Sequence, residues 1–419
     1  MSVYVSYLLL RQDPSQLPAG ALPPSLTIDP PLFNSANPWA TTLEHLRALY
    51  ACPATGAVTT RTALLEDGFP HDEGTHRFAL FETRGHRVGF GGTDGGGGGG
   101  DVRGMEGEGD RDGDGDGEGG VNADASLNTL GYSPIPLAGY MGFIERINEE
   151  EEEKKIKTET KTEGNTKRKS KPFIVSVTGS PDEVAECYRR VAALATRVAM
   201  PIAVEVNLSC PNIAGHPPPA YEAEALRAYV ARIAAVAAEG EGRMGGRVPW
   251  GLKTPPYTHA GQFEMFVSVL RGSALSLSPS VGNRDGDGDG DGDGDSGVCP
   301  VSFVTATNTL GSCLLLAESE SDGGNRTVLA PALPGLGIGG VAGAPLHPLA
   351  LGNVATLRRL LDAAPETRHV AVLGIGGVAD AAGYRRMRSV GAAAVGVGTA
   401  LGIRGVGVFG EIQEGLGGG

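Results

Sequence analysis

The sequence predicts a closed (β/α)8 barrel of the TIM type, and three observations predict it. Eight short, nearly continuous apolar or β-branched runs punctuate the chain, as strands buried on both faces require. Segments with helical spacing separate several of them, the alternation that builds a parallel sheet. Amides, a lysine, hydroxyls and glycine clusters gather just after the runs, at the end where such a barrel carries its chemistry.

The runs fall at 31–36, 56–62, 173–178, 202–208, 249–254, 301–307, 369–374 and 392–397. The first leads into Asn34-Ser35-Ala36-Asn37 and a helix-like segment over Thr41–Tyr50. The second ends in Thr59-Thr60-Arg61-Thr62. Behind the third, Pro181–Val198 carries Val184, Ala185, Val191, Leu194 and Val198 close to helical spacing, with Ser180 as the N-cap. The fourth ends in Asn207-Leu208-Ser209-Cys210-Pro211-Asn212 and precedes a helix-like Ala220–Ala238. The fifth ends in Lys253-Thr254-Pro255-Pro256 before Ala260–Leu270, and the sixth in Thr307-Asn308-Thr309-Leu310-Gly311. Helix-like Asn353–Ala363 and Asp380–Val390 precede the seventh and eighth, which end in Gly374-Ile375-Gly376-Gly377 and Gly396-Val397-Gly398-Thr399. Glycines at these two rims leave backbone amides bare, which suits a phosphate. A further cluster, Gly335-Leu336-Gly337-Ile338-Gly339-Gly340, precedes the seventh run.

Three segments fit no core. Residues 89–120 hold 17 of the 66 glycines, 145–171 run from Glu149–Glu153 into a Lys/Thr/Glu mixture ending KRKSK, and 283–297 is an Asp-Gly repeat. Such compositions cannot bury enough apolar surface to offset the entropy of ordering, so they are read as disordered insertions into one barrel domain spanning about 26–410. They also explain the charge. Residues 101–120 contribute −6 and 284–295 contribute −5, leaving −3 of the net −14 for the remainder of the 419 residues.

Without a basic face, nucleic acid is excluded as a partner. Five cysteines without a CxxC pair argue against a disulfide framework and a structural zinc site. Asp110, Asp112, Asp114 and Gly115 mimic the opening of a calcium loop, but Val121 stands where the bidentate Glu belongs, and no metal is expected. The apolar run Val3 to Leu10 is too short for a membrane span, so no membrane partner and a cytoplasmic location are expected.

Taken together, NLSCPN at 207–212, GLKTPPY around Lys253, TNTLG around Asn308, GLGIGG at 335–340, GIGG and GVGTAL between 374 and 401, and LNTLGY at 127–132 resemble the class 1A, fumarate-type dihydroorotate dehydrogenases. That resemblance implies an FMN-containing (β/α)8 barrel, a homodimer, that oxidises dihydroorotate to orotate in pyrimidine synthesis and passes the electrons to fumarate. It implies Cys210 as the catalytic base beside Ser209, and Lys253 near the pyrimidine end of the flavin. Asn128, Asn207, Asn212, Asn308 and Thr309 fall at substrate positions, with Arg61 alongside. Thr62, Lys253, Gly339, Gly340, Gly376, Gly377, Gly398 and Thr399 fall at cofactor positions. A related FMN oxidoreductase acting on another dihydropyrimidine or enone, and a catalytically impaired flavin-binding homologue, are the alternatives.

Three departures stand out. Arg61 occupies a lysine position of the family, replacing a compact ammonium by a planar fork. Asn37 stands where a glycine is usual. The chain also ends in a glycine-rich tail after Phe409, which predicts no final helix and a thinner outer ring.

Overall fold

The computed structural model describes residues 22–72, 74–84, 88–91, 122–159, 170–209, 218–239, 247–276, 297–320 and 327–417. Strands β1 (Leu32–Asn34) and β2 (Val58–Thr59) begin the barrel, and β3 (Phe78–Phe81), β4 (Val88–Gly91) and β5 (Ala125–Asn128) leave it. Strands β6 (Phe173–Val177), β7 (Ile202–Asn207), β8 (Trp250–Lys253) and β9 (Phe303–Ala306) return to it. Strands β10 (Leu310–Leu314), β11 (Leu316–Glu320), β12 (Thr327–Pro331) and β13 (Ile338–Gly343) stand outside, and β14 (Ala371–Ile375) and β15 (Ala394–Val397) complete the barrel.

The eight barrel strands pair in parallel in the order β1-β15-β14-β9-β8-β7-β6-β2, each overlapping one of the eight apolar runs. A parallel bridge between Phe33 and Ala57 closes the circle. A side chain secures that short seam: Asn34 Nδ2 donates to the Thr59 carbonyl at 2.6 Å and its Oδ1 accepts from the Thr59 N–H at 3.0 Å. A second, antiparallel sheet in the order β10-β13-β5-β3-β4 lies over the rim, and β11 and β12 form a separate ribbon.

The helices are α1 (Leu43–Ala51), α2 (Leu137–Glu159), α3 (Pro181–Ala195), α4 (Ala223–Glu239), α5 (Ala260–Ser276), α6 (His347–Asp362), α7 (Ala381–Ser389), α8 (Thr399–Arg404) and α9 (Gly407–Gly417). Ser180 caps α3 as expected, its hydroxyl accepting from Glu183 N–H and Glu183 reaching back to its own N–H. Inside the barrel the alternation of strand side chains creates layers. Phe33, Ala57, Ile174, Ala203, Phe303, Leu373 and Ala394 fill the lower layer. One step up come Ser176, Glu205 and Thr305, and at the rim Asn207, Lys253 and Thr307, all buried.

Two expectations need correction. The insertion at 145–171 is not irregular over its first part, because α2 continues through Glu159. Its charges support the helix at i,i+3 and i,i+4: Lys154 pairs with Glu151 at 2.6 Å, Lys155 with Glu152 at 2.6 Å and Lys157 with Glu153 at 3.3 Å, while Glu150 meets Arg47 of α1 at 2.5 Å. Residues 160–169 lie outside the described residues, as do nearly all of 89–120 beyond Gly91 and of 283–297. The tail after Phe409 is helical too. Val408, Phe409 and Ile412 recur at helical spacing and are buried, so α9 completes the outer ring despite its glycines.

Candidate functional site

A cavity opens where the barrel rim meets the antiparallel sheet. Its floor is the upper interior layer. Lys253 ends β8 and is 4% exposed, yet no carboxylate among the described residues pairs with its ammonium. A buried cation without a paired carboxylate is costly, and a ligand that brings negative charge would offset that cost. Beside it Thr307 presents a buried hydroxyl with no hydrogen-bond partner among the described residues. Asn207 and Asn308 add amides, and Asn128 reaches in from β5, donating to the Gly340 carbonyl at 3.2 Å. Arg61 is 4% exposed and donates to His71 Nε2 at 3.2 Å and to the Gly131 carbonyl at 3.4 Å, which aims one edge of its fork across the mouth.

Part of the cavity wall is glycine-lined. Gly376 and Gly377 follow β14 at φ 133° and 66°, and a Cβ at Gly377 would lie 2.5 Å from the Gly343 carbonyl oxygen, so the close backbone approach leaves no room for a side chain there. His347, at the start of α6, fixes this turn. Its Nδ1 sits 2.7 Å from the Gly376 carbonyl and its Nε2 accepts from Arg386 Nε at 3.0 Å. A carbonyl only accepts and a guanidinium only donates, so the imidazole is neutral with its proton on Nδ1. Thr399, which opens α8, bonds Ser126 of β5 at 3.0 Å and ties the rim to the covering sheet.

A family model described as "Dihydroorotate dehydrogenase" matches residues 121–418. The chain belongs to the dihydroorotate dehydrogenase family. It is 32% identical over 249 residues to the dihydroorotate dehydrogenase (fumarate) of Trypanosoma cruzi, covering 59% of this chain, and 29% identical over 248 residues to that of Trypanosoma brucei brucei. It spans 63% of the length of each of these two relatives. The same enzyme name attaches to a Saccharomyces paradoxus relative, 26% identical over 213 residues, or 51% of this chain and 52% of that protein. Among solved structures, DHODH from Eimeria tenella shares the fold at 15% identity. Its ferulenol complex superposes with a TM-score of 0.55 over 92% of this chain and 80% of that one, and its ligand-free form with 0.55 over 99% and 90%.

Within this dihydroorotate dehydrogenase barrel, Arg61, Thr62, Asn128, Asn207, Lys253, Asn308, Thr309, Gly376, Gly377, Gly398 and Thr399 all line the one cavity. Ser209 stands directly behind it, donating to Asn207 Oδ1 at 2.8 Å and accepting from Asn308 Nδ2 at 3.0 Å. Cys210 and Asn212 lie outside the described residues. Gly339 and Gly340 do not reach the cavity. They are strand residues of β13 opposite β5, where a Cβ at Gly339 would lie 2.4 Å from the Asn128 carbonyl, and their smallness serves that close pairing. Gly343, at the end of the same strand, is the glycine that lines the wall.

Several wall residues escaped the sequence reading. Ser126 could have been found, because Ala125-Ser126-Leu127-Asn128 alternates apolar and polar as a one-face-buried strand does. Trp39 and Phe78 carried no such signal, since they meet edge to face at 5.7 Å only through the fold. Asn37 replaces the missing glycine by folding back: its Nδ2 donates to the Ser35 carbonyl at 2.7 Å and its Oδ1 accepts from the Trp39 N–H at 2.9 Å. The cysteines among the described residues are not wall residues. Burial pushes Cys187 up to about 12 and Cys299 up to about 11, which keeps both as inert thiols.

Proposed function

We propose that this chain binds FMN in the cavity and oxidises dihydroorotate to orotate in pyrimidine synthesis, returning the electrons to fumarate. The observation that carries the reading is one cavity wall that holds both the buried Lys253, with no paired carboxylate among the described residues, and the glycines of the β14 and β15 rims. The residues present fit a flavin nucleotide. Lys253 and the orphaned Thr307 hydroxyl would hold the ring's pyrimidine edge, and Gly376, Gly377, Gly398 and Thr399 would hold the phosphate. When bound, FMN supplies the acceptor for the hydride from C6 of the substrate.

The chain's own groups do the rest. Asn207 and Asn308 each keep an amide N–H for the C=O groups of a dihydropyrimidine edge, and Asn128 adds a third amide to the wall. Thr309 and Asn212 complete that set, and the Arg61 fork supplies positive charge for the substrate carboxylate. Cys210 follows directly on Ser209 and takes the C5 proton, with Ser209 held by Asn207 and Asn308. With the flavin bound, Lys253 would lie where it could offset negative charge on the ring.

Purified protein is expected to be yellow and to bleach when dihydroorotate is added anaerobically, with Cys210→Ser slowing bleaching by about two to four orders of magnitude. A colourless protein that takes up no added FMN overturns the cofactor, and bleaching by another dihydropyrimidine but not by dihydroorotate overturns the substrate.

The protein is read as a cytoplasmic homodimer. No described helix is long and apolar enough to cross a membrane, and Cys52, Cys187, Cys299 and Cys313 are free thiols. Leu314, Leu316, Leu329 and Ile338 on the outer strands and Leu336 just before β13 are exposed apolar side chains, Leu336 being 81% exposed, which suits burial against a second copy. Sedimentation as a monomer at micromolar concentration would overturn the dimer.

A further inference from the structure

The proposed chemistry leaves one acidic side chain in the described barrel interior without a task. Glu205 lies on β7 two residues before Asn207, so both side chains face inward, and it is 1% exposed. No cation pairs with it among the described residues. Its Oε1 accepts instead from Ser176 Oγ at 3.0 Å.

That bond fixes every proton in a chain leading to the cavity wall. Ser176 has one hydroxyl proton, committed to Glu205, so its oxygen accepts from the Thr62 hydroxyl at 2.9 Å. Thr62 has then committed its own proton, and its oxygen accepts from Asn207 Nδ2 at 3.0 Å. Asn207 Oδ1 is left to accept from the Ser209 N–H at 3.2 Å and the Ser209 hydroxyl at 2.8 Å. Ser209 Oγ accepts in turn from Asn308 Nδ2 at 3.0 Å, and Asn308 Oδ1 accepts from the Thr309 N–H at 2.9 Å. The carboxylate dictates the polarity from one end, and the backbone N–H of Ser209 dictates the same polarity from the other.

We infer that Glu205 is a positioning residue for substrate recognition, holding the amides of Asn207 and Asn308 in the one orientation that presents their remaining N–H groups to the ligand. The inference rests on the functional reading above for the identity of that ligand. The physics is a matter of donors. An asparagine amide has nearly the same shape after a half-turn, so only its hydrogen bonds choose between the two orientations. A carboxylate cannot donate to Ser176, and the reversed chain is closed. A glutamine there can donate to Ser176, which frees the Ser176 and Thr62 protons to point either way and leaves the Ser209 N–H alone to hold the Asn207 amide.

Orotate titration of the FMN-loaded protein, followed by flavin absorbance, tests this. Glu205→Gln is expected to weaken orotate binding about tenfold and to raise KM for dihydroorotate more than it lowers kcat, with FMN content unchanged. Ser176→Ala cuts the same chain by removing a single oxygen and is expected to weaken orotate to a similar degree. Because both act through one chain, the double variant is expected to be no worse than the poorer single one. Wild-type orotate affinity in either folded single variant, or additive losses in the double one, overturns the inference. If wild-type protein binds FMN but no orotate, the substrate reading fails instead. The orientation itself is then read from exchange of the Asn207 side-chain amide protons by NMR, assigned with Asn207→Asp. Faster exchange in Glu205→Gln than in wild type is expected, and equal exchange overturns the inference.

Discussion

The lower and upper layers of the barrel interior are cut from the same barrel strands, two to four residues apart, and both are buried, yet their chemistry is opposite. The lower layer is Phe33, Ala57, Ile174, Ala203, Phe303, Leu373 and Ala394, fully or almost fully buried and free of polar side chains. The upper holds a lysine with no paired carboxylate and a threonine hydroxyl with no partner among the described residues, and two amides linked through Ser209. The first is what a packed core looks like. The second is a surface whose desolvation cost is offset only when a ligand arrives. Stability and recognition are thus stacked along single strands, and substitutions a few residues apart should separate them.

The largest effect is expected below. Phe303→Ala removes a buried ring from the layer that the barrel closes around, and should cost about 3–5 kcal/mol in chemical denaturation. Whatever protein remains folded should bind FMN as wild type does. Normal stability in this variant would break the comparison at its base. Lys253→Met is its mirror image. Deleting an unpaired buried cation should leave stability unchanged or raised, while flavin reduction by dihydroorotate slows about 10²–10³-fold. A Lys253→Met protein that is destabilised but fully active would show that the charge serves packing rather than the ligand.

The sequence exposes these layers unevenly, for physical reasons. The eight strands could be read because burial on both faces makes them continuous apolar runs, and the rim lysine and asparagines because they sit directly behind those runs. The covering sheet could not, because β5 and β13 find each other across more than two hundred residues, and the glycines of β13 read as a phosphate loop until their pairing with Asn128 is seen. The acidic and basic stretch of α2 was misread for a simpler reason. Its composition is that of a solvated insertion, whereas the spacing of its Glu and Lys residues is that of a helix face. The tail containing α9 likewise hides three buried apolar positions among glycines.

A smaller effect sharpens the upper layer. Arg61 stands at the mouth with its fork engaged by His71 and the Gly131 carbonyl, so Arg61→Lys keeps the charge but loses that geometry. KM for dihydroorotate is expected to rise about three- to tenfold, with kcat nearly constant, as when a binding contact common to ground and transition states is weakened. A fall in kcat with unchanged KM would instead place Arg61 at the reacting atoms.

The smallest effect decides whether rim position alone confers function. Ser180 lies in the loop after β6, at the same end of the barrel as Asn207 and Lys253, but its side chain turns outward to cap α3. Its hydroxyl accepts from the Glu183 N–H at 3.3 Å, and Glu183 Oε2 accepts from the Ser180 N–H at 2.7 Å. Ser180→Ala should therefore cost about 1 kcal/mol of stability and leave orotate binding and turnover untouched. The backbone N–H of Ser180, then its hydroxyl, holds the Glu183 carboxyl below the usual carboxylate range. A carboxyl whose folded value is lowered stabilises above its unfolded value, and the contribution is lost as pH falls through the folded one. The stability advantage of wild type over Glu183→Gln should accordingly hold at neutral pH and fade as the pH drops below about 4.5. If Ser180→Ala instead alters turnover, the chemistry extends to rim loops that face away from the cavity, and direction of the side chain ceases to separate function from support.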